Sequence, residues 1–186
     1  MRVLRRCTAR LTDFDTEALR QVGDLPRSCV DRTLRRVSAA ANYNLPWLGM
    51  AAGLAVRQGR CRRAALRGLV AVAGSSAFAN ALAKPLIARS RPSRGALPAW
   101  RRLSAPPSSS SFPSGHSVSA AAFVTAVTME FPAAGAVLAP LAVAVAYSRV
   151  HTGVHWASDV FGGLVLGSGI ALATRQWWPT RADPAG

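Results

Sequence analysis

Five stretches of this chain carry no aspartate, glutamate, lysine or arginine: Val37–Val56, Gly68–Ala83, His116–Met129, Phe131–Ser148 and Val160–Thr174. The chain's arginines are crowded into blocks outside these runs, before Val37, at 57–67 and at 89–102, the pattern of a chain that crosses a bilayer several times. The first becomes apolar only near Leu45, because Asn42, Asn44 and Pro46 interrupt its opening. Several are shorter than the ~20 residues needed to cross the hydrocarbon core, but flanking arginines can snorkel and extend them. Their Ala, Gly and Ser content suits close packing of helices within a membrane. The pattern predicts an all-α, polytopic membrane helical bundle with about five transmembrane helices. A soluble, Ala-rich helical bundle is the competing reading.

Upstream the period changes. Phe14, Ala18, Leu19, Val22 and Leu25 recur at helical spacing, with Leu34 and Val37 beyond Pro26. This predicts one or two amphipathic helices on the membrane surface, their arginines among the headgroups; a poorly ordered basic tail is the alternative. Residues 1–36 thus form an amphipathic interfacial segment, 37–178 the membrane-embedded domain and 179–186 a C-terminal tail. Between the second and third spans, a polar, turn-rich loop runs from Pro85 to Phe112.

Charge sharpens this picture. The chain has 186 residues and a formal net charge of +15, with half its residues hydrophobic. A nucleic-acid binder would spread such charge along one face, whereas here it lies in blocks, so no nucleic-acid partner is expected. Cys7, Cys29 and Cys61 are odd in number and form no CxxC, which points to neither a disulfide framework nor a zinc site. No signal peptide is read at the basic N-terminus. Of 23 basic residues only Lys84 is lysine, an exception that asks for a reason.

Nearly all the reactive side chains sit in three short segments: Lys84 to Pro92, Pro113-Ser114-Gly115-His116, and Ser148-Arg149 followed by His155 and Asp159. With five spans they fall at the end of the second, the start of the third and the junction of the fourth and fifth, all on one side of the membrane. Lys84, Arg91 and Arg149 are cations that could surround a phosphate, arginine being suited to two-point contact. Each alone is equally an ordinary membrane-edge residue. Pro-Ser-Gly opens a helix whose amides and Ser114 hydroxyl could cradle an anion, with His116 at its mouth. His155 and Asp159 are four apart, so on a helix they share a face, and a carboxylate on one ring nitrogen leaves the other free to attack. His151, His155 and Asp159 repeat at the same spacing and could be read as metal ligands. Against that, Thr152 stands where a HExxH protease has its glutamate, and the arginines repel a cation.

Together the segments resemble the signature of the type 2 phosphatidic acid phosphatase superfamily, the lipid phosphate phosphatases. Its pattern is Lys, six residues, Arg-Pro; Pro-Ser-Gly-His; and Ser-Arg, five residues, His, three residues, Asp. Lys84, Arg91, Pro92, Pro113 to His116, Ser148, Arg149, His155 and Asp159 fill every defined position. The resemblance implies an integral-membrane enzyme in which His155 attacks phosphorus to give a phosphohistidine. Asp159 orients its ring, and His116 protonates the leaving lipid oxygen and later takes a proton from water. Lys84, Arg91, Arg149 and the Ser114–Gly115 turn would hold the phosphoryl oxygens. No metal and no cofactor is expected. The same signature occurs in vanadate-dependent haloperoxidases, which resemble larger soluble enzymes.

The implied substrate is a lipid phosphate: phosphatidic acid, phosphatidylglycerol phosphate, or a polyprenyl phosphate or diphosphate. Short, Ala/Arg-rich members resemble actinobacterial proteins assigned to polyprenyl-linked cell-wall precursors, including decaprenylphosphoryl phosphoribose. The expected partners are that lipid and the bilayer, with a homo-oligomer left open. Leaving out the site residues Arg91 and Arg149, counting arginines by side gives 13 with the active site and seven opposite, which favours a cytoplasmic site in a multi-pass cell-membrane protein. A non-catalytic lipid-binding protein of the same fold would have lost His116, His155 or Asp159, and a transporter would place its polar groups at mid-membrane.

Overall fold

A computed structural model describes residues 2–105 and 107–179, with side chains from residue 9 onward. The expected tail therefore lies outside the described residues apart from Pro179. Every regular element described is helical. Helices α1 (Arg2–Asp24) and α2 (Cys29–Ala40) precede α3 (Leu45–Ala55). Then α4 (Arg60–Phe78), a π-helical turn (Ala79–Ala83) and α5 (Lys84–Ile87) form one continuous rod. A loop with short 3-10 turns leads to α6 (Gly115–Glu130), α7 (Pro132–His151) and α8 (Ala157–Ala173).

Three helices are long and apolar enough to span a bilayer: Arg60–Ile87, Pro132–His151 and Ala157–Gln176. The other two expected spans are shorter. At 1.5 Å per residue the 11 residues of α3 reach only about 16 Å, and the 16 of α6 about 24 Å. The reason lies in the polar residues seen in the sequence. Tyr43 and Asn44 both take left-handed backbone angles (φ 55° and 61°), which breaks the chain between α2 and α3. The helix ending the second run continues past Lys84 to Ile87, so the following loop starts later than Pro85.

Helix α6 is the centre of the bundle and packs against α4, α7 and α8. Glycines set how closely. A methyl group added at Gly163 of α8 would come 2.8 Å from the Ser114 carbonyl, and one at Gly167 would collide with the Val118 carbonyl. These small residues, four apart, let two backbones touch. On the other flank Gly68 of α4 receives the Phe123 ring, whose side also stacks on Trp47 at 5.5 Å.

The amphipathic N-terminal helices dock on this bundle. Leu19 and Val22 of α1 pack with Leu97, Ala146, Val150 and Val160. The buried face of α2 presents Asp31, Leu34 and Ser38. Phe14, Leu11 and Leu25 stay exposed.

Candidate active site

The close contact of α6 and α8 decides where the chemistry lies. Ser114 caps α6, and its N–H donates to the Asp159 carbonyl at 3.1 Å, which ties the start of α6 to the start of α8. Asp159 is the third residue of α8 and reaches back to accept the Trp156 N–H at 2.9 Å. This reciprocal cap fixes the carboxylate in place. His155 lies in the connection before the helix, its backbone N–H bound to the Arg149 carbonyl. His155 and Asp159 therefore meet through a cap rather than across one helical face.

Their contact is bridged. His155 Nδ1 is 3.7 Å from Asp159 Oδ2. Ser111 Oγ sits between, donating to Oδ2 at 2.5 Å and lying 3.5 Å from Nδ1. The opposite nitrogen, Nε2, faces Arg91 Nη1 at 3.1 Å. Burial, with the charges of Arg91 and Arg149, outweighs the opposing pull of Asp159 and lowers the imidazole from its usual 6.5 to about 4. The ring is therefore neutral at physiological pH, with Nε2 able to offer a lone pair.

Three cations lie at this end of the bundle without a salt-bridge carboxylate among the described residues. Arg91 donates to the Ser109, Ser110 and Val154 carbonyls at 2.6–3.2 Å. Lys84 Nζ donates to Asn80 at 2.8 Å and Ser109 at 3.4 Å. A methyl at Gly115 would stand 3.7 Å from that amine, so Lys84 lies over the start of α6. Arg149 is fully buried and donates to the Ser38 hydroxyl and carbonyl, leaving its Nε and Nη2 unpartnered. Unpaired buried guanidinium donors are costly unless something anionic meets them. His116 Nε2 lies 3.1 Å from Asn42 Oδ1.

The PAP2 superfamily pattern matches residues 65–183, well over half of the 186. The chain belongs to that superfamily. Among curated proteins it is similar to a lipid A 1-phosphatase of Rhizobium johnstonii, 39% identical over 64 residues, 34% of this chain and 26% of that one. It is also similar to an undecaprenyl-diphosphatase of Sulfolobus acidocaldarius, 34% identical over 96 residues, 51% of this chain and 46% of the other. The chain thus spans less than half the length of these curated relatives. Its fold is shared with the transmembrane PAP2-type phosphatidylglycerolphosphate phosphatase of Bacillus subtilis, TM-score 0.67 at 22% identity, covering 90% and 86% of the two chains. Aquifex aeolicus LpxE gives TM-score 0.71 at 20% identity, covering 86% and 93%. With its three span-length helices and this shared fold, the chain is an all-α membrane protein of the PAP2 superfamily.

Within this PAP2 fold the expected site residues fall at one end, with two departures. The Ser114 amide is spent on Asp159, and its hydroxyl accepts from Ser117 at 2.9 Å, so this half of the expected cradle serves the framework. His151 ends α7 and turns to Asp31 of α2 at 2.8 Å. With α7 over before His155 begins, His151, His155 and Asp159 do not line one helical face. Asp31 also holds Arg101 at 2.7 Å. Although burial opposes it, the Ser28 N–H, Arg101 and His151 keep the Asp31 carboxyl down at about 2.

Other residues were not singled out from the sequence. Arg89 donates to Asp159 Oδ1 and to Asp15 Oδ2, both at 2.6 Å. Asp15, on α1 and 1% exposed, also accepts the Ser158 N–H at 2.8 Å and the Ser158 hydroxyl at 2.6 Å. Its charge complements the start of α8. Ser111, Ser38 and Asn42 complete this framework. Arg89 was visible inside the first signature segment. Asp15 gave a subtler sign: it shares the apolar face of Leu19 and Val22 at helical spacing.

Proposed function

We propose that this protein removes a phosphate group from a membrane lipid through a phosphohistidine on His155. The observation that supports this best is the group of three cations, Lys84, Arg91 and Arg149, bound only to neutral partners beside a neutral, oriented histidine. His155 Nε2 attacks phosphorus in line, forming N–P as the P–O bond to the lipid breaks. His116 gives the departing oxygen its proton. Water then attacks, its proton going to His116 and its hydroxide to phosphorus, and inorganic phosphate leaves. Asp159, with Ser111, keeps Nδ1 protonated and balances the charge that develops on the ring. The cations stabilise the spread negative charge of the transition state, a role for which no metal is required.

The relatives support a lipid substrate, and the arginine asymmetry favours a multi-pass arrangement with the site on the cytoplasmic face. The test is phosphate release by the detergent-purified protein in excess EDTA. Phosphatidic acid, phosphatidylglycerol phosphate and polyprenyl phosphates serve as substrates, beside His155→Ala. Release that survives chelation and disappears in the variant is the expected result. Release abolished by EDTA would overturn the mechanism.

A further inference from the structure

A cavity of ≈ 450 Å³ opens beside the site, lined by Arg32, Arg35 and Arg36 of α2, by Asn42, and by Leu103 and Ser104 of the long loop. No carboxylate lines it. Asp31, the nearest acid in sequence, is buried on another face of α2 against Arg101 and His151. Arg35 donates to the Trp100 carbonyl at 3.0 Å, which fixes one arginine to the loop wall. Arg32 and Arg36 form no salt bridge among the described residues. None of the three belongs to the signature or to residues 65–183.

The position of this cavity follows from the reaction. In an in-line displacement the attacking and departing atoms lie on opposite sides of phosphorus. If His155 attacks, the leaving group extends past His116, which protonates it. The residue touching His116 is Asn42, at 3.1 Å, and Asn42 is itself part of the cavity wall. A group departing on that side would meet a cleft of three arginines, Arg35 half-buried and Arg32 and Arg36 exposed. A diacylglycerol leaving group would offer them nothing, whereas one carrying its own phosphate would give them two-point partners.

We infer that the Arg32–Arg35–Arg36 cavity is a leaving-group subsite for an anion, so that the preferred substrate carries a second phosphate on the part that departs. This rests on the function proposed above. The second phosphate could be the inner one of a lipid diphosphate or a phosphodiester within the headgroup. With a diphosphate, His155 takes the terminal phosphoryl group, and the inner phosphate leaves as a lipid monophosphate bearing the proton from His116. Water releases the phosphoryl group as before.

The test compares the wild-type protein with Arg32→Gln/Arg36→Gln in neutral-detergent micelles. Three substrates are used: polyprenyl diphosphate, phosphatidylglycerol phosphate, and phosphatidic acid, whose leaving group is neutral. The expected result is a KM raised about tenfold or more on one or both of the first two, the scale of lost charge-assisted contacts, with kcat/KM on phosphatidic acid unchanged. The substrate that loses more identifies the source of the phosphate. Equal loss on all three, no loss on any, or an effect seen only when phosphatidylglycerol is added to the micelles would overturn the subsite, the last by assigning the arginines to neighbouring lipids. A folded wild-type protein that releases phosphate from none of the three would overturn the lipid-phosphatase reading itself, and the subsite with it.

Discussion

At the end of the bundle where α4 begins and α6 stops, Glu130 meets Arg67 at 2.7 Å and Arg63 at 3.1 Å. At the other end Asp159 and Asp15 share Arg89, and Asp31 takes Arg101 and His151. Both ends bury arginine against carboxylate, so burial of charge does not by itself mark a site. The difference lies in what is left over. Arg63 and Arg67 also keep unpartnered donors, but both are ion-paired with Glu130, and that end has no histidine. At the other end each buried carboxylate among the described residues is committed to Arg89, Arg101 or His151, which leaves Lys84, Arg91 and Arg149 facing His155 and His116. One end is a staple between helices, and the other holds positive charge in reserve for an anion.

Substitutions can break this contrast. His155→Ala should lower turnover by at least ~10⁴-fold with the fold intact by circular dichroism, as when a nucleophile is removed. Arg149→Ala should lower kcat by roughly 10²- to 10³-fold, the scale of a lost transition-state donor, and Arg149→Lys should restore little because lysine cannot supply the fork. Arg89→Gln or Asp15→Asn should lower kcat by about 10- to 100-fold with KM nearly unchanged, the scale of partners one layer removed. On acidification, kcat/KM should fall about tenfold per unit once pH drops through the His155 value of about 4, because the protonated ring cannot attack. The smallest effect on activity belongs to the far end. Glu130→Gln should leave turnover per folded molecule within about twofold yet cost about 3 kcal/mol of stability by stranding the buried Arg67 guanidinium, read as a lower thermal midpoint. A large loss of turnover there would erase the contrast.

The sequence made part of this visible. Charge-free runs located the helices, and the order of three segments along the chain put Lys84, Arg91, His116 and His155 at one end, because helix connectivity fixes sides. Spacing misled where the backbone changed conformation. His155 and Asp159 are four positions apart, but the chain between them is a helix start, and the residue that joins them, Ser111, comes from a different loop. The N-terminal contribution was hidden for another reason. Asp15, Ser38 and Asn42 act on partners between 74 and 143 residues away, and no local periodicity reports such contacts. Acids on the buried faces of α1 and α2 were the available trace, since an ionised group on an apolar face needs a partner.

The central claim is that phosphorus passes through His155. Its most direct test is rapid quenching of the enzyme with a lipid substrate labelled in the scissile phosphate, followed by digestion under alkaline conditions that preserve phosphohistidine. The account predicts acid-labile label on the peptide containing His155, and none on that peptide in His155→Ala. Steady turnover with no label on His155, or label on another residue, would contradict it.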